Sequence, residues 1–274
     1  HIDLKFFVDS MVIGCQKKDK NTYIHLQKMI RLHNMALIQS DLSDAFVNLW
    51  SILEVVSCDD LSESKIVRVI HSILPILQSD YYIKVFLSIQ ADLHDNLSKG
   101  DEKELYNNIK EGDDNELHKV MALVWLPEYE KLRENLFHEK LNDFPNIRQK
   151  IYRLYLMKDK RNELFKVSNE YKERVEWHLY RLYRVRNAIV HAGDIDRNIQ
   201  ALGEHLHIYC DGIIMEIIAK LAKNKYMNTI KDVLVDTKML LEKKKNYFTD
   251  VGIIRDKDID YLLKLCCLFE NDTD

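Results

Sequence analysis

The chain has 274 residues and a net charge of −4, which is enough length for one large domain or two modest ones. With only 7 Gly and 3 Pro it has little of the turn chemistry that β-sandwiches and barrels use. Long periodic runs of Leu, Ile, Lys and Glu instead indicate an all-α fold. No apolar run is long and charge-free enough to cross a bilayer, so we predict no membrane partner.

The first residue is His1 rather than Met, and the chain enters directly into an apolar segment. We therefore expect it to be the C-terminal part of a longer protein. Residues 1–22 are interpreted as the end of a preceding region, residues 23–224 as the main helical domain, and residues 225–274 as a C-terminal helical extension.

The first predicted element runs from about Tyr23 to Ser57, with a possible break near Ser40. Its second half, DLSDAFVNLWSILEVVS, starts with a cap signal at Asp41 and Ser43. Because this half is apolar almost all round, we expect it to be buried on several sides.

Further helices are predicted over residues 63–97, with a kink or a helix start at Pro75, and over residues 116–141. The acidic residues 98–115 between them indicate a surface loop or a short exposed helix. Two shorter helices are expected between residues 147 and 166.

A long amphipathic helix follows from about Ser168 to Ala192, with Gly193 at the position that ends it. Residues 194–196 can cap the next helix, which is predicted to run to about Asn224. One or two helices complete the tail.

Five cysteines occur without ligand-like spacing, and their odd number favours a reducing cytoplasm. They are Cys15, Cys58, Cys210, Cys266 and Cys267. No C-x-x-C or H-x-x-x-H pair is present, so we predict neither a metal site nor a cofactor. Histidines such as His33, His205 and His207 receive no role.

Charge is unevenly distributed. From Arg148 to His191 there are twelve Lys or Arg against five Asp or Glu, a local balance of +7. Six aromatic residues are interleaved with these cations: Tyr152, Tyr155, Tyr171, Trp177, Tyr180 and Tyr183. This combination suits a phosphate backbone with unstacked bases, and it is equally compatible with a solvated helix face.

On a helical wheel, the long helix has two distinct faces. The apolar face consists of Val175, Leu179, Leu182, Ile189 and Val190. The opposite face carries Trp177, Tyr180, Arg184, Asn187 and His191. The last three follow an i, i+3, i+7 spacing and therefore line up, which is a plausible surface for handling phosphate.

Arg186 falls inside the apolar stripe of the wheel, where a guanidinium needs a partner. Glu54 is the only charged residue between Ala45 and Cys58, and a buried Glu54–Arg186 pair would satisfy both groups. Alternatively, a distorted last turn would swing Arg186 toward His191. The sequence leaves both arrangements open.

The segment RNAIVH, from Arg186 to His191, resembles the R-x4–6-H signature of the HEPN superfamily. LWSILEVVS is similar to the early helix of that family, and RVEWHLYRLYRVRNAIVHAG is similar to the motif helix of Apea-like HEPN domains. The resemblance covers residues from Tyr23 to Asn224. It implies a HEPN-type helical bundle with additional helices.

The resemblance also implies metal-independent cleavage of RNA by 2′-hydroxyl attack. In that reading His191 transfers the proton, Arg186 stabilises the charge on phosphorus, and Asn187 orients His191 or binds a phosphate oxygen. Arg184, Arg181 and Tyr180 would bind the substrate. Because one motif supplies one imidazole, the resemblance implies a homodimer with a composite site.

A second match, RENLFH from Arg133 to His138, has Glu after the Arg and lacks a terminating Gly. We interpret it as an exposed helix face. An alternative for the whole domain is an inactive HEPN module for RNA binding or dimerisation. Active HEPN ribonucleases of this type serve prokaryotic antiviral defence, where an N-terminal sensing domain triggers them.

Overall fold

A computed structural model describes residues 18–57 and 64–264, and over these ranges the chain is helical and contains no strand, as predicted. Cys15, Cys58, Cys266, Cys267 and most of the predicted preceding region lie outside the described residues. The helices are α1 (Lys20–Ile38), α2 (Leu42–Val56), α3 (Lys65–Ser79), α4 (Tyr81–Asn96), α5 (Lys99–Asn107), α6 (Glu116–Trp125), α7 (Glu130–Asn135), α8 (Pro145–Tyr155), α9 (Glu163–Ala192), α10 (Ile199–Lys223), α11 (Ile230–Tyr247) and α12 (Asp256–Lys264).

The chain divides into two compact units. Unit 1 comprises His1–Ser79 and Glu170–Leu241, and unit 2 comprises Asp80–Asn169 and Glu242–Asp274. These divisions do not coincide with the predicted boundaries after residues 22 and 224. Those boundaries describe the extent of the family resemblance, and they stay a prediction. None of the described helices combines the length and apolar character needed to cross a bilayer.

Unit 1 is built around α2, which is buried on several sides as predicted. Trp50 and Leu53 are inaccessible to solvent or nearly so. The break near Ser40 is confirmed, because α1 ends at Ile38 and the Asp41 carboxylate caps α2 by accepting from the backbone N–H groups of Ser43 and Asp44.

Helices α9 and α10 are among the neighbours that pack on α2 within unit 1. On α9, the ring of Tyr183 lies 5.6 Å from that of Trp50. On α10, the Cys210 thiol donates to the Leu49 carbonyl oxygen at 3.3 Å. These contacts bring the C-terminal part of α9 alongside α2, and so bring Arg186, one turn beyond Tyr183, toward Glu54, one turn beyond Trp50.

A helix start at Pro75, one of the two predicted alternatives, is wrong. Helix α3 continues through Pro75 to Ser79, and the break falls at Asp80. Pro75 removes one donor from the helix, but Ile73, Leu74 and Ile76 around it are buried, and this packing offsets the lost hydrogen bond.

Unit 2 has its own core around Trp125, which packs edge-on against Phe86 and donates its indole N–H to the Leu154 carbonyl at 3.1 Å. Within this unit, residues 99–107 of the acidic segment form the short helix α5, whose Leu105 and Tyr106 are buried, and turns follow up to residue 115. The predicted helix over residues 116–141 is instead a series, in which α6, a 3-10 turn, α7 and a π-helical turn follow one another.

Candidate active site at the end of α9

Helix α9 ends immediately after the motif because Gly193 adopts a left-handed conformation with φ +63°. Its N–H donates to the Ile189 carbonyl at 3.1 Å, and the N–H of Asp194 donates to the Ala188 carbonyl at 3.2 Å. This is the glycine termination expected from the sequence. It leaves His191 in the last turn, exposed to solvent.

The apolar face of α9 ends earlier than predicted. Val175, Leu179 and Leu182 are buried, but Ile189 is half-buried and Val190 is 46% exposed. The helical wheel treats every turn of the helix as packed against the core. In the structure, the core of unit 1 ends about one turn before the end of α9. The motif residues therefore lie at the rim of the core, where a polar reactant has access.

Arg186 occupies this rim. Its side chain is 20% exposed, Nη2 lies 3.8 Å from Glu54 Oε1, and Nη1 donates to Asn187 Oδ1 at 3.1 Å. Its Nε is buried and makes no hydrogen bond among the described residues. The pair predicted with Glu54 is present, but it is long and half-buried rather than sequestered in the interior.

Glu54 has two stronger partners than Arg186. Its Oε1 accepts from the Trp50 indole N–H at 3.0 Å, and Oε2 lies 2.8 Å from Lys65 Nζ. With a side chain only 18% exposed, this carboxylate links α2, α3 and α9 within unit 1. The sequence pointed to Glu54 as a support for Arg186, but the contributions of Trp50 and Lys65 were missed.

The structure brings Arg186 and Asn187 into contact, but it does not bring His191 to either of them. Across residues 18–57 and 64–264, His191 makes no hydrogen bond or ion pair. Asn187 is half-buried and uses its carbonyl oxygen on Arg186, which leaves its amide N–H groups as donors. A free imidazole therefore lies one turn from an oriented guanidinium–amide pair.

A cleft of about 360 Å³ borders the C-terminal part of α9, and its lining does not include Arg186, Asn187 or His191. It is lined by Arg181, Arg184, Val185, Ala188, Asp194 and Asp196. Two of the three predicted substrate-binding residues, Arg181 and Arg184, thus border one cavity. The third, Tyr180, is half-buried and packs against the core of unit 1.

The carboxylates of Asp194 and Asp196 line the same cleft. The helical wheel did not include them because they follow the end of α9. Asp196 Oδ1 accepts from the Asn198 backbone N–H at 2.7 Å, which holds that carboxylate at the turn before α10. The cleft therefore combines two cations with two anions, and it favours phosphate less than the charge of the helix alone suggested.

Part of the basic segment from Arg148 to His191 is neutralised inside unit 2. Lys150 Nζ lies 2.5 Å from Asp92, Arg161 Nε lies 3.0 Å from Asp258, and Lys158 Nζ lies 3.8 Å from Glu130. The local balance of +7 thus overstates the charge available to a partner. The exposed cations at the motif end are Arg181 and Arg184.

The second R-x4-H match does not form a comparable site. Arg133 is buried in unit 2, where it donates to the Leu123 and Val124 carbonyl oxygens and stacks 4.1 Å from the Tyr155 ring centre. Burial lowers the pKa of its guanidinium. His138 is exposed, as predicted for the segment, but the prediction of an exposed face is wrong for Arg133.

His178, for which the sequence predicts no role, lies on α9 about two turns before Arg186, the first residue of the motif. Its Nδ1 is 2.9 Å from the Tyr209 hydroxyl, and its ring meets His205 edge-on at 5.2 Å. Burial, followed by the charges of His205 and Arg181, lowers the pKa of His178. The only feature of the sequence that points to His178 is its position among aromatic residues on the helical wheel of α9.

No family model, no curated protein and no solved structure matches this chain.

Proposed function

We propose that this chain is a metal-independent endoribonuclease of HEPN type. The observation that carries the proposal is the placement of the Arg186–Asn187 pair and of the exposed His191 in the last two turns of α9. Arg181 and Arg184 of the same helix border a cleft. A guanidinium that is already oriented and an imidazole that is free to move protons are the two groups that phosphodiester transfer requires.

In the proposed reaction, the ribose 2′-oxygen attacks the adjacent phosphorus and loses its proton to a general base. The bond from phosphorus to the 5′-oxygen breaks, and a general acid protonates that oxygen. The products are a 2′,3′-cyclic phosphate and a 5′-hydroxyl, so no water and no metal enters this step. His191 is assigned the proton transfer because imidazole titrates near neutral pH.

Arg186 is assigned the stabilisation of charge at phosphorus. Asn187 holds Nη1 at 3.1 Å and Glu54 approaches Nη2, so the guanidinium plane is oriented before substrate arrives. Preorganised donors of this kind lower the barrier because they need not reorient during the reaction. The half-buried position keeps Arg186 partly out of bulk water, where its charge acts more strongly.

A single imidazole cannot easily act as both base and acid in one turnover. We therefore include in the proposal a homodimer in which the motif faces of two copies meet across a two-fold axis. Trp177, on this face, is 76% exposed, and large exposed aromatics are typical of interfaces. The dimer would act in the cytoplasm of a prokaryote, under the control of an N-terminal sensing domain, as a defence effector.

The test is incubation of this chain with total RNA, comparing wild type with His191→Ala and Arg186→Ala. Both variants should abolish cleavage, and the wild-type products should carry cyclic phosphate ends. His138→Ala is the matched control and should retain nearly full activity. Cleavage should survive EDTA, because the motif offers one imidazole and no carboxylate to a metal. Equal losses at His138 and His191 would overturn the assignment.

A second candidate is an inactive HEPN module that binds RNA or mediates dimerisation. The specific observation in its favour is the Glu54–Arg186 contact together with the buried Nε, which are typical of a structural guanidinium. This candidate predicts RNA binding that Arg184→Ala weakens, with no cyclic phosphate product from any preparation.

A further inference from the structure

Three metal-ligating atoms converge within unit 1, away from the motif residues in sequence. His33 on α1 places its Nε2 2.6 Å from Asp211 Oδ1 and 2.9 Å from His207 Nε2, both on α10. His207 Nε2 lies 3.6 Å from the same carboxylate oxygen. All three atoms fall within 4.8 Å of one another.

The helices explain why these residues meet. His207 and Asp211 are four residues apart on α10, so their side chains lie one above the other on one face. Met29, Leu32 and Ala36 bury one side of α1 in the same core that takes Leu206 and Cys210 of α10. This packing holds His33 opposite the His207–Asp211 pair, and the two imidazole rings stack with centres 4.8 Å apart.

Protons alone cannot give all three of these atoms a suitable hydrogen-bond partner. His33 Nε2 carries either one proton or one lone pair, yet it faces two acceptor-capable atoms at hydrogen-bond distance. If Nε2 donates to Asp211, it cannot also accept from His207. If it accepts from His207, two lone pairs face each other at 2.6 Å unless the carboxyl is protonated. One dication at the meeting point would satisfy all three atoms at once.

We propose that His33, His207 and Asp211 form a binding site for a divalent transition metal of the zinc class. Two imidazoles and one carboxylate are the ligand types that Zn²⁺ shares among structural and catalytic sites, whereas Mg²⁺ and Ca²⁺ select oxygen. The metal would link α1 to α10 through three protein ligands.

The spacing fits with small adjustments. With metal–ligand bonds of about 2.0–2.2 Å, tetrahedral ligand atoms lie about 3.4 Å apart. The three observed separations bracket this value, so side-chain movements that widen the two shorter separations by about 0.5 to 0.8 Å would complete the site. The His33 side chain is only 12% exposed, but those of His207 and Asp211 are 32% and 35% exposed. This leaves an open side at which water, or a displacing ligand, would occupy the fourth position.

The sequence did not reveal this site because its ligands are distant along the chain. His33 and His207 are 174 residues apart, and the H-x-x-x-D spacing of His207 and Asp211 is common on helices without any metal. The prediction of no metal site from the sequence considered only the spacing of ligands along the chain. The proposed site replaces that prediction.

The test is a calorimetric titration of the chelator-treated chain with Zn²⁺, repeated with Mg²⁺. We expect one equivalent of Zn²⁺ to bind with a Kd on the order of micromolar or tighter, with no comparable uptake of Mg²⁺. Asp211→Asn keeps the side-chain shape and should weaken Zn²⁺ binding at least about tenfold, and His207→Ala should do the same. His205→Ala, on the same helix but outside the three ligands, is the matched control and should bind as wild type.

Two further measurements distinguish a variant that has lost the metal site from a variant that has lost its fold. Zn²⁺ at about 100 times its Kd for wild type should raise the midpoint of thermal unfolding by about 5 °C in wild type and in His205→Ala, and by about half as much or less in Asp211→Asn. Far-ultraviolet circular dichroism should show that Asp211→Asn keeps its helix content. Zn²⁺ affinity equal in wild type, His207→Ala and Asp211→Asn would overturn the proposal, as would the absence of Zn²⁺ binding by wild type. Neither result depends on RNA cleavage.

Discussion

Arg186 Nη2 lies 3.8 Å from Glu54 Oε1, which ties the motif guanidinium to the central helix of unit 1. The sequence left two arrangements open for Arg186, a buried structural pair or a residue swung toward the helix end. The observed position has elements of both, because the contact with Glu54 exists while the side chain remains at the rim beside Asn187. A carboxylate that orients a guanidinium without enclosing it is compatible with a reactive arginine.

Replacing Glu54 separates the structural role of this carboxylate from its role toward Arg186. Glu54→Ala should destabilise the chain by about 2 kcal/mol, because the buried Trp50 indole loses its acceptor and Arg186 and Lys65 lose a charge. Glu54→Gln keeps an acceptor for Trp50 and should cost about 1 kcal/mol or less. Urea unfolding of both variants measures the difference. Equal stability of wild type and Glu54→Ala would show that this carboxylate supports nothing.

The two carboxylates of the cleft should weaken RNA binding. Asp194→Asn combined with Asp196→Asn removes two negative charges beside Arg181 and Arg184, so RNA affinity should rise several-fold at low salt. Fluorescence anisotropy with single-stranded RNA measures the change. Asp250→Asn, an exposed carboxylate in unit 2, is the matched control. A double variant that binds RNA no better than wild type would place the substrate elsewhere.

We expect the dimer to form through the face of α9 that bears Trp177 and His191. Trp177→Ala should weaken self-association, because this ring is 76% exposed on the face that carries His191, whereas Tyr226→Ala, 81% exposed elsewhere in unit 1, should not. Sedimentation equilibrium measures both. In a composite site, mixing wild type with an equal amount of His191→Ala should reduce activity per wild-type subunit to about half. A strictly monomeric protein that cleaves RNA would exclude the composite site.

His178 should make stability depend on pH. Because its pKa is lowered in the fold from the ordinary value of 6.5, the unfolded chain binds its proton more readily than the folded chain does. Stability should therefore be full above about pH 6.5 and should fall as the pH drops below that value toward the folded-state pKa. His178→Gln should lose less stability than wild type between pH 7.5 and 5.5 in urea unfolding. The exposed His138→Gln is the control, and a parallel loss in both variants would contradict this origin.

The sequence by itself determined the helical class, the Asp41 cap of α2 and the Gly193 termination of α9. Each of these follows from local rules: few turn residues, side-chain capping, or the left-handed preference of glycine. Such signals lie within one or two helical turns, so no tertiary information is needed to find them.

Only the tertiary structure decided how far the core reaches along α9, which cations are neutralised, and which histidines meet. Val190 is exposed because the buried core of unit 1 does not extend to the last turn of α9, and Lys150 and Arg161 are paired by residues distant in sequence. His33 approaches His207 and Asp211 because α1 and α10 share a core. Burial and long-range contact depend on how helices pack against one another, and helical periodicity describes one helix at a time.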